Sequence, residues 1–262
     1  MSDWVLSVCS RIGRHLGLKV ERDDGDQERV ITQHGMSSDS VLQRLAYIAA
    51  KIKYIPRSVV DVGASDGRWT RACLRHFPAA RYLLIEPLPN HAIALNALSH
   101  ENANVEYIRC ALSRAAGRGV LMEHGFQSSM FCSHDDLPFG SPVQVMVTTL
   151  DSIIAERRFS SPDYIKLDIE GSELDALHGA ELVLRTCSMV QVEMNLMPFR
   201  KGMPLMHEVV SFMGSKGYRI LDVVGVYARP LDGLPAQCEC FFVNTNKELV
   251  KDWRWSDRAT WC

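Results

Sequence analysis

Acidic side chains stand at the ends of several short apolar runs, where their carboxylates could take part in chemistry. Glu86 follows one such run, and Asp168 and Glu170 follow another. Glu193 closes a third. A carboxylate can accept a proton from a hydroxyl, pair with a cation or bind a metal ion. In an open parallel sheet, ligands bind outside the carboxyl ends of the strands. If these runs are neighbouring strands, the four carboxylates meet at one site.

The segment from Asp61 to Gly67, Asp-Val-Gly-Ala-Ser-Asp-Gly, indicates a strand end, a tight loop and the start of a helix. It differs from the dinucleotide fingerprint G-x-G-x-x-G because Ser65 stands where the central glycine is required. Asp61 and Asp66 would also repel a pyrophosphate. No Gly-Lys-Ser/Thr sequence follows the loop, which argues against a P-loop for nucleoside triphosphates.

S-adenosylmethionine suits this loop better, because it carries a sulfonium, an ammonium and a carboxylate but no phosphate. Acidic groups complement the two cations, and the N–H groups at a helix N-terminus complement the carboxylate. Glu86 lies about 20 residues beyond the loop, where an acidic side chain accepts hydrogen bonds from ribose hydroxyls. The loop and Glu86 together predict S-adenosylmethionine as the cofactor.

An alternation of strand and helix patterns positions these groups. Continuous apolar runs predict buried strands, and apolar residues at helical spacing predict helices between them. This alternation predicts an α/β, Rossmann-like fold with a mostly parallel sheet flanked by helices. The predicted strands are 58–62, 82–85, 105–110, 163–168 and 188–193; the predicted helices are 69–77, 90–99, 150–157, 173–184 and 206–216; residues 218–227 and 239–244 form a closing hairpin.

Residues 117–148 interrupt the alternation. The strand-like segments Gly119–Met122 and Val143–Thr148 flank a polar loop that is rich in glycine and proline. We expect this region to form an inserted β-ribbon, or flap.

The N-terminal residues 1–36 are predicted to be a helical extension and linker, followed by one domain over residues 37–262. Apolar residues from Trp4 to Leu16 recur at helical spacing, with basic residues among them. This pattern favours a helix packed on the domain or on a partner subunit, with contact to a membrane surface as the alternative. The charged residues 21–29 are predicted to form a linker or exposed loop. The next helix is predicted to begin at Ser38 or Asp39.

Composition narrows the functional classes. The formal net charge of −2 over 262 residues argues against broad electrostatic binding to nucleic acid. No apolar run approaches the roughly 20 residues of a membrane span, and the first residues lack the layout of a signal peptide. The eight cysteines are scattered, with no C-x-x-C pair, which indicates reduced thiols and a cytoplasmic location. The chain is compatible with homo-oligomerisation.

Taken together, these motifs resemble the FkbM-type methyltransferase family over roughly residues 41–255. The resemblance implies a class I methyltransferase fold with a mostly parallel seven-stranded sheet. It also implies S-adenosylmethionine as methyl donor and, commonly, O-methylation of sugars or natural products. Ser65 departs from the family's usual Asn, and Arg200 stands where an aromatic residue is expected. The segments that carry the resemblance are 61–67, 77–78, 85–87, 149–151, 165–173, 177–180, 198–204, 217–218 and 241–243.

Two sets of site residues follow. Asp168 is the first candidate for general base or acceptor orientation, with Glu170 and Glu193 supporting it, and contact between Asp168 and the cofactor amine is the alternative. A magnesium ion joining Asp168 and Glu170 is chemically conceivable, but no third ligand is evident and no metal is assigned. The predicted cofactor-binding residues are Asp61, Gly63, Ala64, Ser65, Gly67, Thr70, Glu86, Pro87, Ala111, Leu112 and Asp168.

The leading functional hypothesis is methylation of a hydroxyl on a sugar, glycan or natural-product intermediate. An NAD-dependent oxidoreductase and a non-catalytic Rossmann-like binding subunit are the alternatives. Ser65 and the acidic loop disfavour the oxidoreductase. Cofactor binding without turnover would indicate the non-catalytic binding subunit. Among methyltransferases, modification of nucleic acid is disfavoured by charge, and no Asn-Pro-Pro-Tyr-like motif for amine methylation follows the fourth strand.

Overall fold

In the computed structural model, residues 18–22, 28–32, 38–123, 128–130, 140–157, 159–247, 249–252 and 254 are described. Helices cover both faces of a central seven-stranded sheet, as the alternation of patterns predicts. The elements in chain order are β1 (Leu18–Arg22), β2 (Glu28–Thr32), α1 (Ser38–Ile52), β3 (Ser58–Val62), α2 (Arg68–His76), β4 (Arg81–Ile85), α3 (Ala92–Glu101), β5 (Val105–Ile108), β6 (Ala111–Leu112), β7 (Gly117–Glu123), β8 (Ser141–Thr148), α4 (Leu150–Arg157), β9 (Tyr164–Leu167), α5 (Glu173–His178), α6 (Glu181–Leu184), β10 (Met189–Asn195), α7 (Met206–Ser215), β11 (Tyr218–Ala228) and β12 (Pro235–Asn244).

The strand order of the central sheet is β11–β12–β10–β9–β3–β4–β5. Within it, β12 is antiparallel to both of its neighbours, and the other strands run parallel to one another. The chain leaves β3 toward β4 and β5, and later fills the opposite side with β9 and β10. The direction of winding therefore reverses between β3 and β9, and a ligand crevice forms at such a point.

The strands nearest this reversal are buried on both faces because each contributes to two cores. Val60 and Val62 of β3 pack on the face covered by α4 to α7, whereas Val59 packs on the face covered by α1 to α3. Helix α1 buries an apolar stripe against that second face, and the helix ends at Ile52, four residues before Pro56. The carboxyl end of β3 is held rigidly as a result.

The insertion forms a sheet of its own. Strands β7 and β8 pair antiparallel along their length, which confirms the predicted ribbon. Ala111 and Leu112 add β6, which pairs parallel with β8 and is a strand that the sequence pattern does not reveal. Leu121 of this small sheet packs with Leu88, which lies just after β4. The ribbon is thereby fixed beside the carboxyl end of β4.

Two regions differ from the sequence-based expectation. Strands β1 and β2 pair antiparallel, so strands occupy both ends of the segment 21–29 that the sequence predicts as a linker or loop. The single helix predicted over 173–184 is wrong, because the segment is divided into α5 and α6 at Gly179 and Ala180. The amphipathic helix predicted between Trp4 and Leu16 lies outside the described residues.

The described cysteines are Cys73, Cys110, Cys187, Cys238 and Cys240, and all five are buried free thiols, as expected. None of the helices in the described part of the chain is long and apolar enough to span a membrane.

Gly179 lies at the break between α5 and α6 and provides a test of the packing. A Cβ atom at this position would lie 2.1 Å from the backbone oxygen of Ser113, whereas nothing lies within 4 Å of one at Gly214 in α7. Gly179→Ala should lower the free energy of unfolding by more than about 2 kcal/mol, since backbone must move. The matched Gly214→Ala should be neutral or stabilising by up to about 1 kcal/mol. Urea unfolding measures both, and equal effects would contradict this packing.

Candidate functional site

A cavity of about 250 Å³ opens at the carboxyl ends of β3, β4, β9 and β10. Carboxylates stand at two ends of it, and apolar side chains form much of the wall between strand β4 and the ribbon. The described residues that line it are Val62, Gly63, Ser65, Ile85, Glu86, Pro87, Leu88, His91, Cys110, Ala111, Leu112, Leu121, Ser128, Met130, Asp168, Ile169, Glu170, Ser172 and Glu193.

The glycine loop brings backbone close to this cavity. Gly63 has a φ of +77°, and a Cβ atom there would lie 1.9 Å from the backbone oxygen of Asp168. Ser65 also has a positive φ, of 48°. Asparagine enters this left-handed region more readily than serine, which accounts physically for its use at this position in related loops. The loop therefore needs glycine at position 63 and tolerates serine at position 65.

Glu86 is fixed in place by two backbone amides. The N–H groups of Ser65 and Leu88 donate to its two carboxylate oxygens, each at 2.9 Å. Burial raises the pKa of Glu86, and these hydrogen bonds act in the opposite direction. Each carboxylate oxygen keeps a second acceptor position, so the group can receive further hydrogen bonds from a diol. Glu86 thus suits the ribose contact predicted for it.

Lys166 lies beneath the loop and links it to Asp168. Its ammonium nitrogen lies 3.3 Å from Asp61 Oδ1 and 3.3 Å from Asp168 Oδ2, and it donates to the Gly63 carbonyl oxygen at 3.0 Å. Burial alone would lower the pKa of Lys166, but the charges of Asp168 and Asp61 outweigh it and raise that pKa above its ordinary value. Lys166 is therefore a charged lysine, with a side chain only 4% exposed, at the centre of the site.

Asp61 and Thr70 form the buried end of this network. Thr70 Oγ1 donates to Asp61 Oδ2 at 2.6 Å, and both residues are completely buried. Burial raises the pKa of Asp61, while Lys166 and Thr70 act in the opposite direction. Asp61 consequently supports the loop from behind and does not reach the cavity surface.

A second group of carboxyls lies on the β9 and β10 side. Asp168, Glu170 and Glu193 all line the cavity there. Glu170 has a φ of +52°, and its segment is held by Glu173, whose carboxylate accepts the N–H groups of Ile169 and Gly171. The structure thus brings together the three predicted catalytic residues.

Burial and mutual repulsion raise the pKa values of two of these carboxyls, Glu170 and Glu193, so both hold protons more strongly than a free carboxyl does. Burial, aided by the charge of Asp168, raises the pKa of Glu170 to about 8, although Arg200 opposes the shift. The Arg200 guanidinium lies 3.7 Å from the Glu170 carboxylate. Burial, together with the charges of Asp168, Glu170 and Glu239, also raises the pKa of Glu193. A carboxyl with a pKa near neutral pH, such as Glu170, is suited to accept a proton from a hydroxyl.

The predicted cofactor residues divide into two groups. Gly63, Ser65, Glu86, Pro87, Ala111, Leu112 and Asp168 line the cavity. Asp61, Ala64, Gly67 and Thr70 do not: Asp61 and Thr70 lie beneath the loop, and the Gly67 N–H donates to the Ala64 oxygen at 2.8 Å to close the turn.

Sequence reasoning assigned no role to several residues at the site. Lys166 carried a signal, because a charged residue inside an apolar strand needs a buried partner. Leu121, Ser128 and Met130 carried none, since only the folding of the ribbon brings them to the cavity. Ser129 links the ribbon to the segment that follows β9, because its hydroxyl donates to the backbone oxygen of Glu170 at 2.5 Å.

A family model described as "Methyltransferase FkbM domain" matches residues 61–220 of the chain. The match includes the glycine loop, Glu86, Lys166 and the carboxyls of β9 and β10. No curated protein shows significant sequence similarity to the chain.

Solved structures of methyltransferases resemble the chain distantly. A precorrin-6y C5,15-methyltransferase from Geobacter metallireducens has a TM-score of 0.43 and 12% identity, over 76% of this chain and 85% of that one. A 1,6-didemethyltoxoflavin-N1-methyltransferase from Burkholderia thailandensis, with bound S-adenosylhomocysteine, has a TM-score of 0.43 and 12% identity, over 86% and 99%. A putative RNA methyltransferase from Pyrococcus horikoshii has a TM-score of 0.43 and 12% identity, over 91% and 98%. Similarities this distant carry no argument about activity or substrate.

The geometry of Glu86 predicts a specific loss of cofactor affinity. In Glu86→Gln, an amide NH₂ must face the N–H of either Ser65 or Leu88, and one acceptor is lost. We expect S-adenosylmethionine to bind at least about tenfold more weakly, a change of about 1.4 kcal/mol. Titration calorimetry measures the affinity. Glu106→Gln, an identical change at a partly exposed residue paired with Arg81, should leave it unchanged; equal weakening in both variants would refute the role of Glu86.

The Lys166 network predicts a non-additive effect on stability. Lys166→Met leaves Asp61 as a buried, unpaired charge and should cost about 3–5 kcal/mol. Adding Asp61→Asn should recover part of this loss, because Thr70 can still donate to the amide oxygen. Lys216→Met removes a more exposed ion pair with Glu181 and should cost less than about 1 kcal/mol. Guanidinium unfolding of the wild type, Lys166→Met, Asp61→Asn and the double variant measures the cycle, and strictly additive losses would contradict the network.

Proposed function

The chain belongs to the FkbM methyltransferase family, and on that premise we propose that it methylates a hydroxyl group on a sugar, glycan or natural-product intermediate. The family match identifies the chain as an S-adenosylmethionine-dependent methyltransferase with a class I α/β fold, as its sequence predicts. The same match leaves the oxidoreductase alternative without support.

The lining of the cavity fits S-adenosylmethionine. Glu86 can accept hydrogen bonds from the ribose, and the apolar wall of Leu88, Leu112, Leu121 and Met130 suits an adenine ring. Gly63 lets the loop pack against the backbone of Asp168 at the edge of the cavity. When bound, this cofactor supplies a methyl group already activated by its sulfonium. Asp168 is engaged by Lys166 at 3.3 Å, and we assign it to binding the cofactor's ammonium.

One observation carries the proposal of O-methylation: Glu170 and Glu193 are proton-holding carboxyls that line the cofactor's own cavity. A hydroxyl acceptor must lose a proton as its oxygen takes the methyl group, and a positioned carboxylate can accept that proton. Glu170 and Glu193 suit this role better than Asp168, which is occupied by Lys166. The proposed order of importance therefore differs from the sequence-based one, which put Asp168 first.

The surrounding chain supports further parts of the proposal. The net charge of −2 favours a small-molecule or glycan acceptor over nucleic acid. The five buried free thiols agree with a cytoplasmic location. We further propose that residues 37–262 form the methyltransferase domain, that residues 1–36 are an accessory segment, and that the chain is able to form homo-oligomers.

The direct test is a methyl-transfer screen over free sugars, glycans, nucleotide sugars and hydroxylated natural products, with labelled S-adenosylmethionine. We expect at least one hydroxyl compound to become labelled, with release of S-adenosylhomocysteine. Cofactor binding without transfer to any member would favour the non-catalytic alternative. Labelling of amines alone would contradict O-methylation.

The raised pKa of Glu170 sets the expected pH dependence. A base works only when ionised, so kcat/KM for the acceptor should fall as pH drops through the pKa of Glu170. Burial, together with the charges of Asp168 and Glu173, raises this pKa to about 8, although Arg200 opposes the shift. A bound sulfonium should move the inflection lower.

Glu170→Gln and Glu193→Gln separate the two candidates. The variant that lacks the base should lose about 10²–10⁴-fold in kcat and also lose the pH-dependent limb. Steady-state rates from pH 5.5 to 9 measure both effects. Calorimetry should show that the same variant still binds S-adenosylmethionine. If both variants kept wild-type kcat, neither residue would be the base.

A further inference from the structure

Acidic side chains outnumber basic ones among the described residues that line the cavity. Glu86 stands at the end of β4, and Asp168, Glu170 and Glu193 stand at the ends of β9 and β10. Among the described lining residues, His91 is the one basic side chain. Three strand spacings of about 4.8 Å separate β4 from β10, so the ribose end and the Glu193 end lie roughly 14 Å apart. We call the end formed by Glu170 and Glu193 the acceptor pole.

The cationic side chains nearest the acceptor pole, Lys166 and Arg200, are already paired with carboxylates. Lys166 contacts Asp61, Asp168 and the Gly63 oxygen, and does not line the cavity. Arg200 also does not line it; its side chain is 7% exposed, and its guanidinium faces Glu170 and the ring of Phe199. Each of these cations offsets carboxylates that are already present, so neither offers a site for an incoming anion.

More carboxyls stand behind the acceptor pole. Glu239 of β12 lies directly opposite Glu193 of β10 in the strand register. Glu239 is 6% exposed and receives a hydrogen bond from Gln191, while Gln237 donates to Glu193. Burial and neighbouring carboxylates raise the pKa of Glu193, and raise that of Glu239 to about 7, so this region already resists negative charge and would also resist that of an incoming anion.

We propose that the acceptor pole selects a neutral or cationic polyhydroxyl compound, such as a neutral or amino sugar, and rejects acceptors with a carboxylate or phosphate near the reacting hydroxyl. Neutral hydroxyls can donate to the carboxylates, and an ammonium can pair with them. Among the described residues no basic side chain lines this pole, and an anion there would add negative charge to a group of buried carboxyls that already resists it, which is a device for specificity. This inference rests on the proposed function and adds a charge rule for its substrate.

The test compares matched methyl glycosides of several hexoses, each as the neutral sugar, the 2-amino sugar, the uronic acid and the 6-phosphate. Each is assayed with saturating S-adenosylmethionine at fixed ionic strength and at pH 9, above the pKa of about 8 of Glu170, and kcat/KM is recorded. We expect the neutral or amino members to exceed their uronic acid and phosphate partners by at least about 100-fold, a difference of about 2.7 kcal/mol.

Charge-removing variants locate the cause of the selection. Glu193→Gln, and Glu239→Gln behind it, should raise the anionic-to-neutral ratio of kcat/KM by about tenfold. Glu239 does not line the cavity. Its variant therefore allows the anionic-to-neutral ratio of kcat/KM to be measured even if Glu193→Gln is too slow. Glu86→Gln removes the same charge at the ribose end and should leave the ratio unchanged, because it lies on the far side of the cavity.

The outcomes separate this inference from the proposed function. Uronic acid or phosphate members that are methylated as well as the neutral ones would overturn the charge rule and leave hydroxyl methylation standing. An equal change of ratio in the Glu86 and Glu193 variants would also overturn it. If no member were methylated although S-adenosylmethionine bound, methylation of sugars would itself be refuted, together with the rule that rests on it.

Discussion

The ion pairs of Lys166 are the interaction on which the rest of the site depends. One ammonium contacts a carboxylate of β3, the carboxylate after β9 and the carbonyl of the glycine loop. A buried charge is tolerated only with such partners, because removing it from water costs several kcal/mol. Lys166 therefore ties together the two strands at which the winding of the sheet reverses. The cofactor loop and Asp168 keep their relative positions because they share this one cation.

The same pairing explains how so many carboxyls coexist in a small region. Lys166 and Arg200 offset the charges closest to the loop and to Glu170, and backbone N–H groups hold Glu86 and Glu173. Glu193 has no ion pair of this kind in the described residues, and its pKa is raised by burial and by its neighbours. The result is a graded cavity, with a firmly held carboxylate at the Glu86 end and carboxyls of raised pKa at the end formed by Glu170 and Glu193. This gradient fits a cationic cofactor and a neutral, proton-losing acceptor.

Much of the fold could be predicted because its signals are local. The β3 run, the loop glycines and Glu86 lie at the positions that periodicity and loop spacing indicate. The split between α5 and α6 could not be predicted, since the apolar stripe of 173–184 continues through it. Gly179, at that break, packs against the backbone of Ser113, a residue 66 positions away in sequence. The ribbon was predicted, but its position as a cavity wall through Leu121 and Met130 was not.

By itself, the sequence determined the alternation of core strands with helices, the glycine loop and the set of acidic residues at strand ends. These depend on residue type and on short-range spacing, which the chain carries wherever it folds. Only the tertiary structure decided which carboxyls are paired and which hold protons. Asp168 follows β9 as Glu193 ends its own run, yet Lys166 reaches one and not the other. That difference depends on which groups meet across the sheet and on how much water they lose, and no local pattern encodes either.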